Sequence, residues 1–188
     1  HLFFFSLKTM SQLLAKYDLH VFDIMPSPIS GGSWVIYFST KQRSKTENVI
    51  KAEKHEQVTG INTYDRWLEF AKQTKEHGKD LKKMVSENKG KIVAYGASAR
   101  SSTLLNFCGI NSDHISFIID KNPLKHGLLT PGSDIPVISF EQGLEEIKYV
   151  DRILLLAWNF KDEIVRDLRN AGFSGEFIIP FPNKTYIV

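Results

Sequence analysis

From residue 91 onward, apolar strand-like segments alternate with helical ones. This predicts an α/β chain built on a Rossmann-like open, mainly parallel sheet with covering helices. Three observations carry the prediction. RILLLAW (152–158) is continuously apolar, as in a parallel strand buried on both faces. KIVAYGASARSS (91–102) reads as a buried strand, a small-residue turn and the start of a helix. FIID (117–120) is a second buried strand that ends on a carboxylate, Asp120.

A small α/β unit and a long linking helix are expected ahead of this sheet. Leu7, Met10, Leu13 and Leu14 recur at helical spacing, which predicts a helix over 6–17 with Ser6 as its N-cap. LHVFDIM (19–25) and SWVIYFS (33–39) are strand-like, and Pro26, Pro28, Gly31 and Gly32 mark the turn between them. These strands pair as a hairpin or extend a larger sheet. Residues 1–40 form this first unit, and the polar, mixed-charge residues 41–62 read as a linker. A helix over 63–87 carries Trp67, Leu68, Ala71, Leu81, Met84 and Val85 on one stripe, and Asn88-Lys89-Gly90 stops it. The domain 63–188 continues with strands at 91–95, 115–120, 136–139, 152–158 and 176–180. Its helices fall at 100–108, 141–147 and 161–171.

Charge and composition exclude several classes. The 24 Lys and Arg residues are offset by 21 Asp and Glu, a net charge of +3, which argues against a nucleic-acid partner. No apolar run reaches the ~20 residues of a membrane span. Cys108 stands alone at the end of a helix and reads as a small buried hydrophobe. The six histidines are scattered without ligand spacing, so no metal site is expected. Asn183-Lys184-Thr185 is a glycosylation sequon read as chance. The start HLFFFSLKTM lacks a basic leader, and a cytoplasmic location is expected. A first residue other than Met suggests a piece of a longer protein.

The candidate site gathers at the ends of the first two sheet strands. Amides of Gly96, Ala97 and Ser98 can point at an anion, next to the positive end of the following helix. Ser98, Ser101 and Thr103 offer hydroxyls, and Arg100 offers a charge that pairs with a diphosphate. A plain strand–helix turn with a capping serine is the other reading. Asp120 lies 24 residues after Gly96, near the spacing of a ribose-binding carboxylate, yet a full glycine fingerprint is lacking. Asn122, Lys125, Lys121 and His126 follow in a loop where ligands sit in such sheets, or in a merely solvated loop.

GASARSSTLLNFCGI (96–110), followed by FIIDKNPLKHGLLTPGSDIPV (117–137), resembles the C-terminal region of S-adenosylmethionine-dependent sugar C-methyltransferases. Tyr95, Asn106, Gly127, Pro131 and Gly132 fall on the family pattern with the residues above. At the front, His1, Phe4, Phe5, Ser6 and Leu7 match the family's E-H-x-x-[YF]-F-S-L, with Phe4 where tyrosine is common. Gly31, Gly32, Ser33 and Trp34 match a Gly-Gly-Ser turn, with Ser30 where histidine is frequent. The resemblance implies a nucleotide-linked keto-deoxysugar substrate, held in part by Gly96, Ala97, Ser98, Arg100, Ser101, Thr103, Asn106, Asp120, Asn122 and Lys125. It implies that His1 removes a proton from the sugar carbon to be methylated, and that the carbanion or enolate attacks the sulfonium methyl. It also implies that residues 1–40 are a remnant of the methyl-donor domain. S-adenosylmethionine is then the cofactor of the parent, with none expected for this chain, which should be inactive alone. Two other classes remain open: a NAD(P)-dependent oxidoreductase domain, and a non-catalytic nucleotide-binding or assembly module. The sugar, the carbon methylated and the oligomeric state are not readable.

Overall fold

The computed structural model describes residues 3–28, 32–87, 90–182 and 184–188. His1, the turn residues Ser30 and Gly31, the helix stop Asn88-Lys89 and Asn183 lie outside the described residues. The chain divides into two compact units, His1–Lys72 and Gln73–Val188.

In the first unit, α1 (Leu7–Ala15) starts at Ser6, whose hydroxyl accepts the Thr9 amide. β1 (His20–Ser27) and β2 (Ser33–Ser39) pair as an antiparallel hairpin, with a register shift between Val21 and Asp23. The segment read as a linker holds a helix, α2 (Glu47–Thr59), ended by Gly60 in the left-handed region at φ 65°. Val49 and Ala52 are its buried residues, and they pack with Leu7, Val21 and Ile24. With two buried side chains in 13 positions, α2 shows no apolar stripe in the sequence. It also closes the start of α1. The Glu56 carboxylate accepts the amides of Leu7 (2.5 Å) and Lys8 (3.1 Å). The Thr9 amide is taken by Ser6 Oγ and the Met10 amide by the Ser6 carbonyl, so all four initial donors of α1 are satisfied.

α3 (Tyr64–Ser86) runs from the first unit into the second. Gly78, Leu81 and Val85 are buried, whereas Trp67 and Leu68, expected on the same stripe, are about half exposed.

The second unit is a six-stranded sheet of β3 (Ile92–Tyr95), β4 (Ile118–Ile119), β5 (Val137–Ile138), β6 (Arg152–Leu155), β7 (Glu176–Ile179) and β8 (Tyr186–Ile187). The spatial order is β5-β4-β3-β6-β7-β8; β8 alone runs antiparallel, on β7. Successive residues of β3 point to opposite faces. Ile92 and Ala94 meet Leu81, Val85, Leu105 and Cys108, while Val93 and Tyr95 meet Ile164, Leu168 and Phe177. Thus α3 and α4 (Ala99–Cys108) cover one face, and α5 (Phe140–Glu146) and α6 (Lys161–Asn170) cover the other. β6 stops at Leu155, not at 158, because the Ala157 amide turns to the Tyr95 carbonyl (3.1 Å). Burial pushes the Cys108 thiol up to about 11, so it stays a protonated, inert packing group. No helix among the described residues is long and apolar enough to cross a membrane, and no group of three metal-ligating side chains occurs among them.

Candidate functional site

The chain turns back after β3 and leaves for β4 on one side, while β6 lies on the other. A sheet of this order opens a crevice between those two strands at its carboxyl edge. Gly96 sits there at φ 99°, where side chains are strained. A Cβ on it would stand 2.7 Å from that of Ala157 and 3.0 Å from the Ala157 amide nitrogen. The glycine is therefore required by the loop after β6, which closes on the turn.

The turn amides are already engaged. Gly96 donates to the Ile119 carbonyl (2.8 Å), Ala97 to Asp120 Oδ2 (2.7 Å) and Ser98 to Ser101 Oγ (3.2 Å). The chain's own acceptors hold all three of the donors expected to form an anion cradle. Ser98 and Ser101 form a reciprocal cap, and Ser101 is 2% exposed, so its hydroxyl faces the chain. The amides of Ala99 and Arg100 meet no acceptor among the described residues. The Arg100 side chain is exposed beside them, whereas the Thr103 hydroxyl donates back to the Ala99 carbonyl (3.0 Å).

Asp120 joins this turn to the loop after β4. Its Oδ2 accepts from Ala97 and from Lys125 Nζ (3.1 Å), and its Oδ1 accepts the Asn122 amide (2.8 Å). The carboxylate is 9% exposed as a residue and bound through both oxygens. It therefore lacks the free face that a ribose-binding acid presents. His126 Nε2 donates to the Asp120 carbonyl (2.8 Å), and the Asn122 side chain caps the short turn Pro123–Lys125. Lys121 reaches Asp167 (3.4 Å) and Glu163 (3.7 Å) on α6. Burial, and then Asp167, Asp120 and Glu163 in turn, push the nearby Tyr95 hydroxyl up to about 12.

Asn106 does for the other end of the loop what Asp120 does for its start. Its Nδ2 donates to the carbonyls of Ser102 (2.8 Å) and Pro131 (2.9 Å). A Cβ on Gly132 would fall 2.4 Å from its Oδ1, so the Pro131-Gly132 turn is shaped to this amide. The loop 121–136 is not a solvated coil. Its arm pairs back on β5 through Gly127–Val137 and Val137–Leu128 hydrogen bonds, and Thr130 and Ser133 are buried against each other (2.8 Å).

The structure thus brings together Gly96, Ala97, Ser98, Arg100, Ser101, Thr103, Asn106, Asp120, Asn122 and Lys125 along one edge. Most of them bind one another. Ala157, which fixes the Gly96 turn, has no signal in the sequence because it lies within a run that reads as strand. His1 falls outside the described residues.

The strand order and the two bound loops place the second unit among the doubly wound α/β domains. The family model for the C-methyltransferase C-terminal domain matches residues 28–182, and the chain belongs to that family. It is 29% identical over 196 residues to the C-methyltransferase NovU of Streptomyces niveus. That alignment covers all of this chain and 46% of NovU, so the chain spans less than half the length of this relative. Methyltransferases of this family imply S-adenosylmethionine in the parent enzyme. The Gly96 turn does not fit that group: its amides are engaged, and Ala157 fills the approach to its single glycine.

Proposed function

We propose that this chain is the substrate-side part of a S-adenosylmethionine-dependent C-methyltransferase that acts on a nucleotide-linked keto-deoxysugar. The observation that carries the reading is the pair of open amides at the start of α4, beside the exposed Arg100. Two N–H donors, a helix N-terminus and a guanidinium suit the two charges of a diphosphate. Asp120, Asn106, Ser98 and Ser101 hold that edge in shape. His1 is the candidate base for the proton on the carbon beside the keto group. The methyl donor belongs to other parts of the enzyme, so the chain alone should bind the sugar nucleotide without methylating it. This fits a NovU-length protein of which the chain covers the smaller share.

The test is calorimetric titration of the chain with thymidine diphosphate and with S-adenosylmethionine. The expected result is binding of the diphosphate that weakens with salt and falls about tenfold in Arg100→Ala, and none of the donor. Methyl transfer by the isolated chain would overturn the division of labour. Tight binding of a nicotinamide dinucleotide would favour the oxidoreductase reading.

A further inference from the structure

One seam runs along α3. From Trp67 through Ala71 and Thr74 to Gly78, Leu81 and Val85, it advances by alternating steps of four and three residues. Tyr64 lies one further step of three ahead of Trp67. The second half of the seam is covered, with Gly78, Leu81 and Val85 buried. The first half is not: every residue from 61 to 73 is exposed.

A helix that is exposed all round is expected to be polar all round. The start of α3 instead carries Tyr64, Trp67, Leu68 and Phe70. Tyr64 is 76% exposed, and the other three are about half exposed. The Trp67 and Phe70 rings meet edge to face at 5.6 Å and 82°. Large aromatic side chains clustered on a surface mark a place that another protein covers.

The charges beside the seam say which protein. Asp65, Arg66, Glu69 and Lys72 alternate in sign along the segment. Turned end to end, the same segment presents the opposite sign at each place. An antiparallel pair of two copies, centred between Trp67 and Leu68, sets Trp67 of each copy against Leu68 of the other. Tyr64 then faces Ala71, a large ring over a small side chain. On the flanks, Arg66 comes opposite Glu69, and Asp65 comes beside Lys72. A parallel pair would set each charge against its like, so the pattern selects one orientation.

We infer that the start of α3 is a self-association surface, on which a second copy of this chain pairs antiparallel through Tyr64, Trp67, Leu68 and Ala71. All of these residues belong to the first unit. The paired stretch is two helical turns long, so the interface is small and its dissociation constant is on the order of 100 µM. The inference is independent of the nucleotide reading.

The experiment is sedimentation equilibrium of the chain from about 10 µM to about 1 mM, a range that brackets this constant. A monomer–dimer equilibrium is expected, and Trp67→Ala should abolish it. Asp65→Lys and Lys72→Asp should each weaken it about tenfold, and the two together should restore it. These side chains are exposed, so helix content and melting temperature should stay close to those of the parent chain and show that each variant is folded. A chain that stays monomeric throughout overturns the pairing and leaves this face to another part of the parent enzyme. Dimerisation that survives in Trp67→Ala overturns the surface. A double charge reversal as weak as the single ones overturns the antiparallel arrangement. Binding of thymidine diphosphate by a strictly monomeric chain overturns the pairing alone and leaves the nucleotide reading standing.

Discussion

The Asp120 carboxylate accepts the Ala97 amide at 2.7 Å, across 23 residues of chain. That bond ties the turn after β3 to the loop after β4. The acid that resembles a ribose ligand in the sequence is a brace in the fold. Asparagine at position 120 offers one acceptor oxygen where the chain uses two. One of the Ala97 and Asn122 amides is then left without a partner, and Lys125 loses its counter-charge. Asp120→Asn is expected to cost roughly 1.5–3 kcal/mol in urea unfolding. Lys125→Met should cost at most about 1 kcal/mol, since that ion pair is partly solvated.

Gly96 and Ala157 make a second testable contact. Gly96→Ala adds a Cβ 2.7 Å from that of Ala157, at a φ of 99°. A loss of about 2 kcal/mol or more is expected. Ala157→Gly in that background removes the Cβ–Cβ clash and keeps the backbone strain. Thermal melts of the four proteins in this cycle should show partial, not full, recovery.

The alternation of strands and helices was legible because β3, β4, β6 and β7 carry buried apolar residues on both faces. Strand ends were less so. Ile115 and Phe117 are buried yet lie outside β4, which is confined to Ile118–Ile119, although the Phe117 carbonyl still accepts the Ala94 amide of β3 (3.0 Å). α2 and β8 escaped notice because one buries two side chains and the other has two residues, both exposed. At the site, the motif names residues that share one edge of the sheet and does not show which partners hold them. Whether Ala97 faces an anion or Asp120, and whether Asn106 faces a sugar or Pro131, depends on which loops the sheet order makes neighbours.

Tyr95 links the same edge to pH. Its hydroxyl is held up to about 12 by burial first and by Asp167, Asp120 and Glu163 after it. A raised folded value means that its stabilising contribution is complete below the unfolded value near 10 and is lost as pH rises through about 12. Tyr95→Phe cannot ionise. Chemical unfolding at pH 9 and pH 11.5 should show the variant losing roughly 2 kcal/mol less than the parent chain over that interval.

In the first unit, Glu56→Ala frees the amides of Leu7 and Lys8 at the start of α1. A loss of about 1 kcal/mol is expected, the scale of a missing helix cap. Amide exchange at those residues should quicken, with Ile118 and Ile153 in the second unit unchanged.

The most direct measurement is an amide-resolved NMR titration of the chain with thymidine diphosphate. The amides of Ala99 and Arg100 should shift with ligand concentration, while that of Ala97, held by Asp120, should move little. Large shifts at Gly96 and Ala97, or none at Ala99 and Arg100 under saturating ligand, would contradict the assignment of the diphosphate to the start of α4.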